Sequence, residues 1–219
     1  MADGAAGVFV TGTGTEVGKT VVAAAIAHTL AAEGKRVAVF KPCVTGLDEG
    51  DESDHQLLRR ASGSSQGDEE IAPYRYGPPA SPHLAAALAG EEIDPQRLRE
   101  AAATAAASAD AIVCEGVGGL LVPLAPGYSV RDLAVDLGYP LVVAASPGLG
   151  TINHTLLTIE SARAAGLEVA AVVLTPWPEQ PGEIESSNRE TIAQLSGVEV
   201  KTLPPIDLAA LDSWPRVAV

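Results

Sequence analysis

Thr11-Gly12-Thr13-Gly14-Thr15-Glu16-Val17-Gly18-Lys19-Thr20 decides how this chain is read. A short apolar run, Val8-Phe9-Val10, leads into it, and a stretch of helix formers from Val21 to Ala32 follows. Strand, glycine-rich loop, Gly-Lys-Thr and helix, in that order, make a phosphate-binding loop. The backbone N–H groups of Thr15, Glu16, Val17, Gly18, Lys19, Thr20 and Val21 span the loop and the helix start, where a polyphosphate is held. Lys19 reaches the outer phosphates, and the Thr20 hydroxyl binds Mg²⁺. The usual spacing puts four residues between the first glycine and Gly-Lys. Here Thr13 occupies that first position and Gly12 stands one residue further back, so the loop is a one-residue variant. A mere tight turn would need glycine, but it would not need Lys and Thr after Gly18.

Outward from the loop, apolar β-branched runs alternate with alanine-rich helical stretches. Strands are predicted over Val8–Val10, Val37–Phe40, Ala111–Cys114, Leu141–Ala145, Val169–Leu174 and Val198–Leu203. Helices are predicted over Lys19–Glu33, Asp54–Ala61, Pro82–Ala89, Pro95–Ser108, Ser129–Leu137, Ile152–Ala165 and Ser187–Leu195. This is the pattern of an α/β fold of the P-loop NTPase type, a mostly parallel sheet with helices on both faces. Its crossovers are right-handed, and its ligands bind beyond the carboxyl ends of the strands. The 219 residues fit one domain, 1–219, with room for a proper core. The segment Ser62 to Ser81 is rich in Gly, Pro, Ser and acids and reads as an exposed excursion, a lid or a partner surface.

Composition excludes several functions. The net charge is −14, which argues against nucleic acid and against an anionic membrane as partners. No apolar run approaches the roughly 18 residues that span a bilayer, and the first apolar segment is too short for a secretory signal, so a cytoplasmic protein is expected. Cys43 and Cys114 lie in or beside predicted strands and give neither a disulfide framework nor a metal spacing. Lysine is scarce: Lys19, Lys35, Lys41 and Lys201 are the only four. Two of them, Lys19 and Lys41, follow predicted strands, which points to a local anion site in an acidic protein.

The strand ends carry the remaining chemistry. Lys41, in Lys41-Pro42-Cys43-Val44-Thr45-Gly46, sits at the carboxyl edge, where a second ammonium balances charge developing in phosphoryl transfer. Neither Lys19 nor Lys41 is expected in the core. Thr45 reads equally as a substrate contact or a loop cap. Glu115, in Glu115-Gly116-Val117-Gly118-Gly119, leaves an apolar strand beside the loop, where a carboxylate holds Mg²⁺ directly or through water. The glycines there let backbone approach a ligand closely. Asp54 begins a predicted helix, and capping is its local reading. A second glycine-rich turn, Ser146 to His154, leads into another helix whose start has free N–H groups, and it reads equally as a capped turn or a carboxylate site. After Leu174 the chain continues Thr175-Pro176-Trp177-Pro178, without the Asn-Lys-x-Asp that reads guanine, which argues against a signalling GTPase. The loop also lacks the early extra lysine of partition-type ATPases.

Taken together these motifs resemble the dethiobiotin synthetase family. The elements are the loop Val10–Thr20, Lys41-Pro42 with Thr45-Gly46, Ser53-Asp54, Ser81-Pro82-His83, Glu115–Gly119 and Leu149–His154. They keep the family's order from about Val8 to Pro205, and the one-residue-longer loop is the family's own form. The resemblance implies an ATP-dependent cyclo-ligase of biotin biosynthesis that joins 7,8-diaminononanoate and CO₂ into a cyclic urea through a carbamate and a carbamic–phosphoric anhydride. It implies that Thr20, Asp54 and Glu115 serve Mg²⁺, that Lys19 and Lys41 stabilise the carbamate and the transferring phosphoryl group, and that Thr45 contacts substrate. It implies that the N–H groups from Gly150 to Asn153 hold the substrate carboxylate across a homodimer, completing a composite site. Gly116, Val117, Gly118, Thr175 and Pro176 are carried over as nucleotide contacts. Thr175-Pro176 departs from the family's usual adenine-reading Asn, which leaves the base of the nucleoside triphosphate open.

Two other readings compete. A cobyrinate-type synthetase domain shares the loop and the Lys-Pro element but is normally joined to a glutaminase domain, for which a chain ending at Val219 has no room. A non-catalytic nucleotide switch would be indifferent to diamines.

Overall fold

The computed structural model describes residues 5–49 and 52–219; the expected single domain, 1–219, therefore includes a few positions outside the described residues. The chain opens with strand β1 (Ala6–Gly12), helix α1 (Lys19–Ala32) and strand β2 (Val37–Phe40). A two-residue strand β3 (Cys43–Val44), helices α2 (Asp54–Ser62) and α3 (Asp68–Ile71), and strand β4 (Tyr74–Arg75) come next. Helices α4 (Pro82–Leu88) and α5 (Pro95–Ala107) lead into strand β5 (Ala111–Gly119), the hairpin of β6 (Pro123–Ala125) and β7 (Tyr128–Ser129), and helix α6 (Val130–Leu137). The last third is strand β8 (Leu141–Ala145), helix α7 (Thr151–Ala164), strand β9 (Val169–Leu174), helix α8 (Glu183–Ser196) and strand β10 (Glu199–Thr202).

The six predicted strands form one sheet in the order β10-β9-β8-β1-β5-β2, with every pairing parallel. This is the α/β architecture expected from the alternating pattern. Its strands read as unbroken apolar runs because both faces are covered. In β1, Phe9 packs with Phe40, Leu98 and Leu133 on one face, while Val8 and Val10 pack with α1 and Leu58 on the other. That alternation follows from the period of two along a strand. A third cluster joins Val143, Val172 and Leu174 to Ile159 of α7 and Ile192 of α8. Helix α1 is buried through its middle: Val22 to Ala27 are at most 1% exposed. Its alanines let the helix lie close to the sheet, and this fixes the loop that precedes it.

Boundaries moved where side chains close backbone groups. Helix α8 starts at Glu183 rather than Ser187, because the Glu185 carboxylate accepts the Gly182 N–H at 2.8 Å and caps the extra turn. Strand β5 runs past its predicted end at Cys114 to Gly119. The pairing with β1 is irregular there, stepping from Val10↔Glu115 to Gly12↔Gly119. The bulge follows directly after Glu115, with Gly118 at φ 62°, and bulges re-aim the side chains beside them. The excursion Ser62–Ser81 is corrected. It contains α3 and β4, and Ile71, Ala72, Tyr74 and Tyr76 are buried in it. The short strands β3, β4, β6 and β7 had no sequence signal, being two or three residues each. The end of the chain lies on α1, where Trp214 meets the His28 ring edge-on and the Val217 N–H donates to Thr29 Oγ1 at 2.9 Å. Cys43 and Cys114 are both buried free thiols.

Candidate active site

Because all six strands run parallel, their carboxyl ends share one edge, and the loop after β1, the residues after β2 and the bulge of β5 meet there. Gly12 and Gly18 are the positions where the loop needs glycine. A methyl on Gly12 would lie 2.7 Å from side-chain atoms of Val17 and Lys19, so this glycine lets the loop fold back on itself. Gly18 has φ +83°, and a methyl there would lie 2.5 Å from Thr175 Cγ2. The Thr13 N–H donates to the Ala144 carbonyl at 3.0 Å, which ties the loop to β8. Lys19 Nζ donates to the Gly14 carbonyl at 2.8 Å across the loop.

Four side chains from four separate segments close on one another beside this loop. The Thr20 hydroxyl, in the first turn of α1, lies 2.9 Å from Asp54 Oδ1 and 2.8 Å from Glu115 Oε1. The Lys41 ammonium lies 2.7 Å from Asp54 Oδ2 and 2.7 Å from Glu115 Oε1. Asp54 is set by the start of α2, where the Gln56 side chain accepts the Ser53 N–H at 3.1 Å and the Ser53 hydroxyl meets His55 Nδ1 at 2.9 Å. Glu115 is set by the bulge of β5, and Gly116 next to it is close-packed, since a methyl there would lie 2.9 Å from Val130.

Both lysines are buried, against the expectation that neither lies in the core. Lys41 is 3% exposed and Lys19 8%, and Glu115 is fully buried. Burial favours the neutral form of each. For Lys41 burial is opposed by Glu115 and Asp54, which hold the ammonium above the usual lysine range. Lys19 is lowered by burial, with the Lys41 charge adding to it. Burial pushes the Glu115 carboxyl up, against Lys41 and Thr20. Asp54 ends below the usual range, because Lys41 outweighs its burial.

These groups line a cavity of about 760 Å³. Thr15, Glu16, Gly18, Lys19, Thr20, Val21, Lys41, Thr45, Asp54, Glu115, Val117 and Gly118 all face it. Val17 and Gly116 are not among the residues that line it. Thr175 lies under the loop with its methyl against Gly18 and its N–H on the Ala145 carbonyl at 2.9 Å; neither it nor Pro176 lines the cavity. The turn Gly150–Asn153 starts α7 and lies outside this cavity: Gly150 caps the helix at φ 91°, Thr151 is buried, and Leu149 before it is 97% exposed. The structure therefore brings the two lysines, Thr20, Thr45, Asp54 and Glu115 together within one chain, and leaves Gly150, Thr151, Ile152 and Asn153 apart from them. Pro79, Ala80 and Val122 also line the cavity. The Pro-Pro pair before Ser81 was the one available signal for the first two. Val122 had none.

The donor set suits a hard cation. A hydroxyl has one proton, so Thr20 cannot satisfy Asp54 and Glu115 at once, and Glu115 Oε2 is buried without a hydrogen-bond partner. Oxygen donors of this kind are what Mg²⁺ takes. Among the described residues no three His, Cys, Asp or Glu side chains cluster as a metal-binding group. No described helix is long and apolar enough to cross a membrane.

The sequence model of the AAA domain family matches residues 6–208. A protein of Anaeromyxobacter dehalogenans described as ATP-dependent dethiobiotin synthetase is 43% identical over 199 residues, covering 91% of this chain and 89% of its own. The Rhodococcus erythropolis protein of that description is 41% identical, covering 90% and 87%. That of Bacillus subtilis is 35% identical, covering 91% and 87%. Among solved structures, the signal recognition particle receptor FtsY of Elizabethkingia anophelis superposes with a TM-score of 0.56 at 14% identity, over 94% of this chain and 61% of the receptor chain. The FtsY protein of Thermotoga maritima gives 0.54 at 15% identity, over 94% and 67%. At those identities the two receptors speak for the fold alone.

Proposed function

The chain belongs to the ATP-dependent dethiobiotin synthetase family, a group of ligases, and we propose that the cluster of Lys19, Thr20, Lys41, Asp54 and Glu115 is where it carries out the cyclisation. The observation that carries this reading is the closed contact of Thr20, Lys41, Asp54 and Glu115 within 2.7 to 2.9 Å, beside the phosphate-binding loop. The loop N–H groups from Thr15 to Val21 hold the nucleotide's phosphates. Thr20, Asp54 and Glu115 hold Mg²⁺, which when bound offsets phosphate charge and polarises the γ-phosphate. One amine of 7,8-diaminononanoate takes up CO₂ as a carbamate, and the carbamate oxygen attacks the γ-phosphorus, expelling the nucleoside diphosphate. The second amine then attacks the carbonyl carbon of the mixed anhydride, phosphate leaves, and the urea ring closes.

A carbamate is a weak nucleophile, so positioning and charge neutralisation carry the catalysis. Lys41 is built for this. It is held charged and immobile between two carboxylates, and it can transfer its hydrogen bonds to the carbamate without crossing solvent. Lys19 leaves the Gly14 carbonyl for the transferring phosphoryl group. Thr45 borders the space left for the diamine. The base is read outside the cavity, with Thr175 and Pro176 beneath the loop as its nearest assigned contacts. The remaining assignment, Gly150 to Asn153 on the substrate carboxylate, requires the partner chain of a homodimer. It is supported by the absence of that turn from the lining of its own chain's cavity and by Leu149, a leucine left 97% exposed beside it. On this reading residues 1–219 act as one cytoplasmic synthetase domain.

The test is incubation with 7,8-diaminononanoate, bicarbonate, Mg²⁺ and ATP, with mass analysis of the products. The ureido product should appear only when all four are present. Nucleotide hydrolysis that is indifferent to the diamine would overturn the assignment in favour of a switch.

A further inference from the structure

β2 is one of the two outer strands of the sheet, so the backbone leading to Lys41 has one side with no strand of the main sheet beside it. Its pairing with β5 ends at Phe40↔Cys114, one residue short of Lys41. The excursion after α2 closes that open side. The Gln66 carboxamide accepts the Val39 N–H at 2.8 Å and donates to the Val39 carbonyl at 3.1 Å. It thus takes both backbone groups of one residue, as a neighbouring strand would. The Ser64 hydroxyl donates to the same Gln66 oxygen at 2.9 Å and accepts the Gln66 N–H at 3.2 Å, which fixes the side chain. Two residues along from Val39, the Lys41 N–H donates to the Ile71 carbonyl at 2.8 Å. The pairing continues through β3 and β4, Cys43↔Tyr74 and Val44↔Arg75, and through the Tyr76 N–H on the Val44 carbonyl at 2.8 Å.

We infer that Gln66 is a positioning residue for Lys41: its side chain anchors the excursion to the β2 edge at Val39 and so sets where the Lys41 ammonium stands relative to Glu115. The reason is the gap in pairing. β5 stops holding the strand at Phe40, and Pro42 has no N–H to give. Lys41 is therefore located from the excursion side, through Ile71, and the excursion is held to β2 at Gln66. Loss of the carboxamide leaves Val39 with an open N–H and carbonyl and lets the strand end shift. A shift of about 1 Å at a positioning group costs up to 10²-fold in rate. Nucleotide binding stays as it was, because the phosphate-binding loop is tied to β1 and β8 and not to this edge.

The inference rests on the proposed role of Lys41, and the experiment separates the two. Gln66→Leu, Lys41→Ala and the double variant are assayed for kcat, for KM of ATP and of the diamine, and for melting temperature. Gln66→Leu should lower kcat by about 10-fold with KM for ATP unchanged within about 2-fold, and it should add no further loss in the Lys41→Ala background. Gln66→Glu keeps the acceptor and loses the donor, and should fall between the two. Gln66→Asn, which shortens the side chain but keeps both groups, is read the same way if Gln66→Leu does not fold. A Gln66 variant with unchanged kcat, or one that loses as much in the Lys41→Ala background as alone, overturns the positioning role. So does a failure of all three to fold, since Gln66 is then a stability element only. A Lys41→Ala enzyme with normal turnover overturns the proposed function instead.

Discussion

Replacing Lys41 with alanine strands a buried carboxylate, and the consequence is measurable apart from any loss of activity. In the native protein the ammonium is 2.7 Å from Glu115 Oε1, with Lys41 3% exposed and Glu115 fully buried. At an effective dielectric of about 20, charges at that spacing attract by roughly 6 kcal/mol before the cost of burial is counted. Breaking such a buried pair from one side costs about 3–5 kcal/mol, because the remaining charge is left uncompensated. For a chain of this size each kcal/mol moves the melting temperature by about 2–4 °C, so Lys41→Ala should melt roughly 6–20 °C below the parent. Turnover should fall by about 10²-fold or more, the usual effect of losing one partner of the transition-state charge.

The assay is differential scanning calorimetry without nucleotide, paired with a steady-state rate. Its decisive arm is the double variant Lys41→Ala with Glu115→Gln. Removing the stranded charge should restore most of the melting temperature and none of the turnover. Lowering pH should act in the same direction on the single variant. Burial raises the Glu115 carboxyl, so the folded state takes up a proton before the unfolded state does, and the deficit shrinks as pH falls and grows as it rises. If Lys41→Ala melts within 2 °C of the parent, or the double variant is no more stable than the single one, the stranded-charge account is wrong.

Thr20→Val should lower turnover by about 10²-fold and abolish the thermal stabilisation that MgATP gives, whereas Thr20→Ser, which keeps the hydroxyl, should stay within about 10-fold; equal effects of both would remove the hydroxyl from the site. Mixing Lys19→Ala chains with Gly150→Pro chains should restore activity, since each heterodimer has one intact composite site, and a fully active monomer in sedimentation at assay concentration would sink the shared-site proposal. The Cys43 thiol, pushed up to about 12 by burial, should resist alkylation at pH 8 until the protein unfolds. Its folded state keeps the proton that the unfolded thiol releases near pH 9, so its contribution is nil at neutral pH and turns unfavourable as pH rises from 9 towards 12; rapid labelling of native protein at pH 8 would contradict the burial.

What could be read from sequence was whatever topology alone decides. Six apolar runs separated by helices imply parallel strands, and parallel strands put Lys19, Thr20, Lys41 and Glu115 on one edge without any knowledge of side-chain packing. Asp54 came only by resemblance, because a helix start 34 residues from Thr20 has no fixed place until the fold sets it beside α1. The burial of the lysines was missed for a related reason. A lysine after a strand is usually solvated, and only two carboxylates from distant segments make its burial tolerable. The excursion shows the opposite limit. Ser62 to Ser81 has a loop's composition, yet its pairing with β2 runs partly through a glutamine side chain, which obeys neither the period of two nor the period of 3.6. Patterning detects elements whose backbones pair with backbones. It is blind to a strand edge closed by a carboxamide, and that edge is the one that carries Lys41.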